Sequence, residues 1–135
     1  MMTTPQSHRM TLRVYYEDTD LAGIVYYANY FRFIERGRTE FLRAAGVDQM
    51  AIRQDLGLVF AVRKVEAEFL RPAVMDDVLT IETEIVRFTG ARMTMEQSVL
   101  RSDETLFRAN VQIVALKDGR ATRIPPAVAR LLVSP

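Results

Sequence analysis

Val14-Tyr15-Tyr16-Glu17-Asp18-Thr19-Asp20-Leu21-Ala22-Gly23-Ile24-Val25-Tyr26-Tyr27-Ala28-Asn29-Tyr30 carries the chain from one hydrophobic period to another. At its head, Met10 to Tyr16 alternates Leu12, Val14 and Tyr16 with Thr11, Arg13 and Tyr15, the pattern of a strand. At its tail the period lengthens. From about Ala28 to Ala45, Tyr30, Phe33, Ile34, Gly37, Phe41, Leu42 and Ala45 recur on one face of a helix. Arg32, Glu35, Arg36, Arg38, Glu40 and Arg43 fill most of the rest, and Gly46 supplies a stop. Between strand and helix lies a short loop with three carboxylates, Glu17, Asp18 and Asp20, and Gly23. Gly37 lowers helix propensity, and close approach of the helix to a packed backbone is the expected compensation.

Further along, Val47 to Leu56 reads as a short helix or irregular connection closed by Gly57. Leu58 to Leu70 reads as a long strand, with Val65, Ala67 and Phe69 opposing Glu66 and Glu68, and Arg63-Lys64 marking a bulge. Pro72 and two aspartates make Arg71 to Asp77 a turn. Strands follow at Val78 to Phe88, Arg92 to Arg101 and Thr105 to Lys117, separated by Thr89-Gly90 and Ser102-Asp103-Glu104. Pro125 and Pro126 precede a short helix from Ala127 to Val133. One long apolar helix against one antiparallel sheet is an α+β architecture. Residues 1–9 read as a flexible N-terminal tail and 10–135 as a single domain. Three strands with polar outer residues leave a wet sheet face unless a second subunit covers it, so a homo-oligomer is expected.

Composition narrows the chemistry. The chain has 135 residues and a net charge of +1, so it exerts no global pull on nucleic acid. Glu82, Glu84 and Glu96 on the open sheet face argue against nucleic acid as well. No signal peptide or membrane span is read, and the expected location is the cytoplasm. There is no cysteine, and the one histidine, His8, falls in the tail. That removes thiolate catalysis, Ser-His-Asp triads and His-based metal sites, so no metal is expected. What remains to an enzyme is carboxylates, hydroxyls, lysine or arginine, and backbone dipoles. By residue type alone, Asp18 and Asp20 are ordinary turn aspartates bonding backbone amides. Their place before a helix N-terminus, where unpaired N–H groups and the positive dipole end lie, gives them a second reading as hydrolytic groups.

Element order and loop together resemble the hotdog-fold acyl-CoA thioesterases. Within these the match is to the group containing 4-hydroxybenzoyl-CoA thioesterase and the YbgC proteins associated with the Tol-Pal system. It is carried by Tyr16-Glu17-Asp18-Thr19-Asp20-x-x-Gly23-x-Val25-Tyr26-x-x-x-Tyr30, then Glu35-Arg36 and Arg38-Thr39-Glu40. The turn Pro72 to Asp77 and the strand start Asp77-Val78-Leu79 also match, and the likeness runs from about Arg9 to Pro126. The resemblance implies a hotdog fold, an antiparallel five-stranded sheet wrapped around one long central helix. It also implies hydrolysis of an acyl-CoA to free acid and CoA, with no cofactor, coenzyme A being part of the substrate.

The family's catalytic aspartate falls on Asp20, and its oxyanion donor falls on the backbone N–H of about Tyr27. YbgC-like sequences often carry histidine at that position. This chain has tyrosine there, as 4-hydroxybenzoyl-CoA thioesterase does, and a histidine base is closed to it. Short-chain and aromatic acyl groups both stay open. Asp18 is read as structural, Gly23 as a turn or close-approach residue beside the substrate, and Tyr26, Tyr27 and Tyr30 as aromatics of either the acyl pocket or the core. The resemblance implies active sites between subunits, so that Val59 and Phe60 from a partner would help shape the acyl pocket. Arg87 and Arg92, flanking Thr89-Gly90, are expected to meet the phosphates of CoA, with Lys117, Arg120 and Arg123 a second cationic cluster. Glu35 is a rival carboxylate, since another hotdog branch uses a helix glutamate. The departing thiol has a pKa of about 8.5, so a strong general acid is dispensable. Acyl carrier protein is a further expected partner, and the oligomer is expected as a dimer or homotetramer. Two other classes stay in view. One is a non-catalytic binding or scaffold protein for acyl carrier protein or the envelope machinery. The other, a dehydratase on 3-hydroxyacyl thioesters, is disfavoured for want of a usable histidine.

Overall fold

The computed structural model describes residues 4–5 and 7–134. In chain order its elements are Thr4–Pro5 (β1), Ser7–Arg13 (β2), a 3-10 turn at Tyr16–Asp18, Asn29–Ala44 (α1) and Gln49–Leu56 (α2). Leu58–Phe69 (β3), Val78–Thr89 (β4), Arg92–Arg101 (β5), Glu104–Lys117 (β6), Arg120–Ala121 (β7), Pro126–Leu132 (α3) and Val133–Ser134 (β8) complete it. The main sheet runs β2-β4-β5-β6-β3, antiparallel throughout, with β7 folded back on β6.

Alternation fixes which side of the sheet is dry. Leu79, Ile81, Thr83 and Ile85 on β4, Met93, Met95, Gln97 and Val99 on β5, and Phe107, Ala109, Val111, Ile113 and Ala115 on β6 are all buried. They face α1, whose Tyr30, Phe33, Ile34, Gly37, Phe41 and Leu42 are buried in turn. A polar network lies inside this core. Gln97 Nε2 donates to Ile34 O at 2.8 Å and to Thr83 Oγ1 at 2.9 Å, and Gln97 Oε1 accepts from Arg38 Nη1 at 3.0 Å. Burial pushes the Arg38 guanidinium below its ordinary range, partly offset by Glu35.

Three expectations are corrected. The main sheet has six strands rather than five, because the chain reverses at Asp118-Gly119 to add β7; β1 and β8 form a separate pair. The single long central helix gives way to three helices, the longest of 16 residues and about 24 Å, packed on β2, β4 and β5. The first strand begins at Ser7 and ends at Arg13, three residues early at each end. Ser7, His8 and Arg9, assigned to the flexible tail, pair with Glu84, Thr83 and Glu82, because β4 extends far enough to template them. Residues 1–3 and 6 of that tail lie outside the described residues, as does residue 135. The bulge at Arg63-Lys64 is present as a register shift between Val62 and Lys64.

β3 departs from the rest. It lies at one edge of the sheet, and Val59, Val62, Val65 and Phe69 all stay exposed along it. Among the described residues, no helix is long and apolar enough to cross a membrane.

Candidate active site

The loop after β2 folds into a narrow hairpin. Thr19 bridges Val25, and Asp20 N donates to Ile24 O at 2.9 Å. Gly23 N closes the tip by donating to Asp20 O at 3.0 Å. Gly23 adopts φ +81°, a left-handed conformation that favours glycine, with open space where a Cβ would stand. Gly23 therefore serves the turn, and of its two expected roles the close approach is not seen within the chain. The Asp18 carboxylate accepts from Tyr15 N at 2.8 Å and holds the 3-10 turn. Asp20 is exposed, and its Oδ1 accepts from Ala22 N at 2.9 Å, while Oδ2 has no partner among the described residues. One carboxylate oxygen fixes the side chain and the other is free to act.

The hairpin is tied to the start of α1. Asp18 O accepts from Tyr26 N and from Asn29 Nδ2, both at 2.9 Å. At the helix entry, Asn29, Tyr30 and Phe31 donate their N–H groups to the carbonyls of Tyr26, Tyr27 and Ala28. The N–H groups of Tyr27 and Ala28 have no such partner among the described residues, and no side chain caps the helix. Two donors at the positive end of a 16-residue helix are thus left open. Tyr26 and Tyr27 are exposed beside them, ring centroids 4.8 Å apart. The Tyr26 hydroxyl is held above the ordinary phenol range, first by its hydrogen bond with Tyr27, then by the Tyr27 charge, slight desolvation and the Asp20 carboxylate.

An apolar cleft of about 310 Å³ opens beside the helix entry, lined by Ile24, Val25, Tyr27, Tyr30, Phe69 and Leu70 with Arg71 and Pro72. Phe69 is half-exposed there, meeting Tyr27 at 6.1 Å and Tyr30 at 5.8 Å. Its role was not read from the sequence; the signal was a phenylalanine at a strand end beside a proline turn. Tyr30 is buried at the cleft floor, stacked on Phe107 at 5.0 Å, and its hydroxyl accepts from Ala73 N at 3.0 Å. Burial pushes its phenol up, moderated by that hydrogen bond. Tyr30 is therefore a structural pin as much as a pocket wall. Tyr26 does not line the cleft.

The remaining expected residues gather elsewhere. The Asp20 hairpin lies at the start of β4, since Val14 N donates to Asp77 O at 2.8 Å and Ile24 bridges Val74. From Val78 to Arg87 that strand climbs about 30 Å at roughly 3.3 Å per residue. Arg87 and Arg92 sit at its far end, and Val59 and Phe60 lie there too, since Phe60 pairs with Ala115 and Arg92 with Val114. Lys117, Arg120 and Arg123 join them, because Ile124 N donates to Gly90 O at 2.8 Å and brings that segment beside the β4–β5 turn. The two basic clusters are one, and none of these five cations makes an ion pair among the described residues. Phe60 shares a smaller cavity of about 240 Å³ with Glu35, Arg38 and Thr39. Glu35 accepts from Thr39 Oγ1 at 3.0 Å and makes no hydrogen bond to the Asp20 hairpin among the described residues.

A carboxylate with one unpartnered oxygen, two open helix N–H groups and an apolar cleft thus lie in one corner of the fold. The family model for the thioesterase-like superfamily matches residues 14–132, and the chain belongs to that superfamily, among the thioester hydrolases. Within it the chain groups with the YbgC acyl-CoA thioesterases. It is 38% identical to "Acyl-CoA thioesterase YbgC" of Haemophilus influenzae over 81% of this chain and 80% of that one. A probable thioesterase from Bartonella henselae is 42% identical, with a TM-score of 0.85 over 89% of this chain and all of that one. The 4-hydroxybenzoyl-CoA thioesterase of Pseudomonas sp. strain CBS-3 is 29% identical, with a TM-score of 0.87 over 93% and 98%. These likenesses bear out the hotdog-type thioesterase fold read from the loop and helix.

Proposed function

We propose that the protein hydrolyses a short-chain or aromatic acyl-CoA to the free acid and CoA, with Asp20 as nucleophile or general base. The observation that carries this reading is the pair of unpartnered N–H groups, on Tyr27 and Ala28, at the entry to α1 beside the Asp20 hairpin. A thioester carbonyl resting on those donors would gain charge there as the tetrahedral intermediate forms. One such donor is worth roughly 3–4 kcal/mol in other hydrolases. Asp20 Oδ2 then takes a proton from a water that attacks the carbonyl carbon, or attacks it directly to form a mixed anhydride that a water hydrolyses after the thiolate departs, releasing the acid and restoring the carboxylate. The thiolate leaves without strong protonation. The acyl group occupies the cleft of Tyr27, Tyr30 and Phe69. No cofactor or metal is required by this scheme, and a CoA ester as substrate fits the cytoplasmic location expected from the sequence.

The corner described is half a site. The cations suited to CoA phosphates stand at the opposite end of the sheet, with Val59 and Phe60. A second copy paired along the exposed β3 edge, antiparallel about a two-fold axis near the strand's middle, would carry its own far end to this corner. The partner's Val59 and Phe60 would then close the cleft against Phe69, and cations of the far end would meet the nucleotide. A homodimer is accordingly the smallest active form, with acyl carrier protein a second possible donor of the acyl thioester at the same basic end.

The test is a panel of aliphatic and aromatic CoA esters with wild type and Asp20→Asn, folding checked by circular dichroism. Turnover should fall at least a hundredfold in the variant, by roughly 3 kcal/mol or more at 1.36 kcal/mol per tenfold. A wild type that binds acyl carrier protein yet turns over no thioester would establish the scaffold reading instead.

A further inference from the structure

We propose that Arg101 is a positioning residue for the thioester hydrolysis, holding the Asp20 hairpin against the entry to α1 through the turn at 72–77. This rests on the proposed function for its kinetic part only. Arg101 ends β5 and bridges three partners. Its Nη1 donates to Asp77 Oδ2 at 2.8 Å and lies 3.4 Å from Pro72 O, and its Nη2 donates to Glu104 Oε1 at 2.7 Å. The planar fork of a guanidinium can make these bonds together; an ammonium cannot hold the same geometry.

Asp77, largely buried, transmits the constraint. The oxygen that meets Arg101 also accepts from Val74 N at 2.9 Å. Val74 bridges Ile24, whose carbonyl accepts from Asp20 N at 2.9 Å. In parallel, Ala73 O accepts from Val25 N at 2.8 Å, one residue before the tyrosine pair, while Ala73 N donates to Tyr30 on α1 at 3.0 Å. The 72–77 turn thus touches the hairpin on one side and the helix on the other. It sets the spacing between the carboxylate and the open N–H groups. Arg101 fixes the turn from β5, Arg13 on β2 donates Nη1 to Asp76 O at 3.1 Å, and Arg101 does not line the cleft.

The experiment compares wild type with Arg101→Met, Arg101→Lys and Arg108→Met, the last breaking an exposed ion pair with Glu68 on the open sheet face. Arg101→Met should lower kcat roughly ten- to hundredfold with KM within about twofold, because small misplacements of reacting groups carry penalties of that size. Arg101→Lys should fall between, and Arg108→Met should match wild type. Amide hydrogen exchange gives a readout independent of activity. In Arg101→Met the amides of Asp20 and Val25 should exchange faster, while those of Ile81 and Val99 in the core keep wild-type rates. If wild type turns over CoA esters but Arg101→Met keeps its kcat, the kinetic role is overturned while the thioesterase reading stands. If wild type shows no turnover, the thioesterase reading fails and exchange alone decides. Unchanged exchange at Asp20 and Val25, or acceleration spread equally through the core, overturns the positioning role outright.

Discussion

A Cβ built on residue 37 would stand 2.6 Å from Ile81 Cγ2 and 3.0 Å from Thr83 Oγ1. The helix therefore meets side chains of β4 here, not the backbone expected from the sequence. Ile81 Cγ2 branches from a fully buried Cβ and has nowhere to retreat. Gly37→Ala should gain about 1 kcal/mol of helix propensity and lose about 1–3 kcal/mol to overpacking. The expected net is destabilisation of about 1 kcal/mol, read from urea unfolding midpoints at constant m-value; a gain in stability would show α1 seated farther from the sheet. At this scale the sequence was legible where a residue's role is local. Asp18, read as structural, holds its own turn, and Gly23 takes a positive φ. It was illegible where roles depend on contacts between distant segments. Arg101 looked like one charge among many, and only its meeting with Asp77 and Pro72 gives it a task. His8 looked like a tail residue because Ser7, His8 and Arg9 offer no apolar alternation, yet β4 pairs with all three.

The elements follow period and punctuation closely. The limits read at 92–101 for β5 coincide with the structure, those of β4 and β6 differ by one residue at one end, and those of α1 by one residue at each end. These segments bury one whole face, so a shift of register would expose it, and the pattern is correspondingly strong. β2 was the weakest reading, three residues off at each end; β3 was read to within one residue, yet Val59, Val62, Val65 and Phe69 along it stay exposed. Between α1 and β3, α2 depends on its caps, since it has no fully buried residue. Asp48 Oδ1 accepts from Ala51 N at 3.0 Å, and Gly57 closes the helix at φ +66°. Asp48→Ala should lose about 1 kcal/mol, the ordinary worth of an N-cap. The same variant should speed amide exchange within Gln49–Leu56 and lower turnover by no more than about threefold, because α2 packs on the Phe60 end of β3, which the proposed dimer brings to the partner's cleft, and supplies no reacting group. A loss of turnover equal to that of Asp20→Asn would show α2 to be coupled to the chemistry.

For the whole molecule the decisive property is that a single chain separates its functional groups. The hairpin, the helix entry and Phe69 occupy one end of the sheet, and Val59, Phe60 and the five cations occupy the other. No local pattern could reveal this, because it depends on strand order and on which edge stays open. β3 is a long edge strand that exposes Val59, Val62, Val65 and Phe69 to a second chain, although Arg63, Lys64, Glu66, Glu68 and the bulge also mark it with features that blunt indiscriminate pairing. Val62 and Val65 flank the bulge near the middle of β3 and are exposed. Changing both to lysine places four added positive charges around the proposed two-fold axis while leaving the folded chain's own core untouched. The Val62→Lys, Val65→Lys variant should sediment as a monomer at concentrations where wild type is a dimer or larger. Its circular dichroism should be unchanged, since neither side chain belongs to the buried set. Turnover should fall by tenfold or more and return in part as protein concentration rises, because each site needs the partner's Val59 and Phe60. Salt should favour the recovery by screening the added charges. A wild type that sediments as a monomer and hydrolyses CoA esters at a rate independent of its concentration would refute the shared site, and the acyl cleft would then have to close with residues of one chain alone.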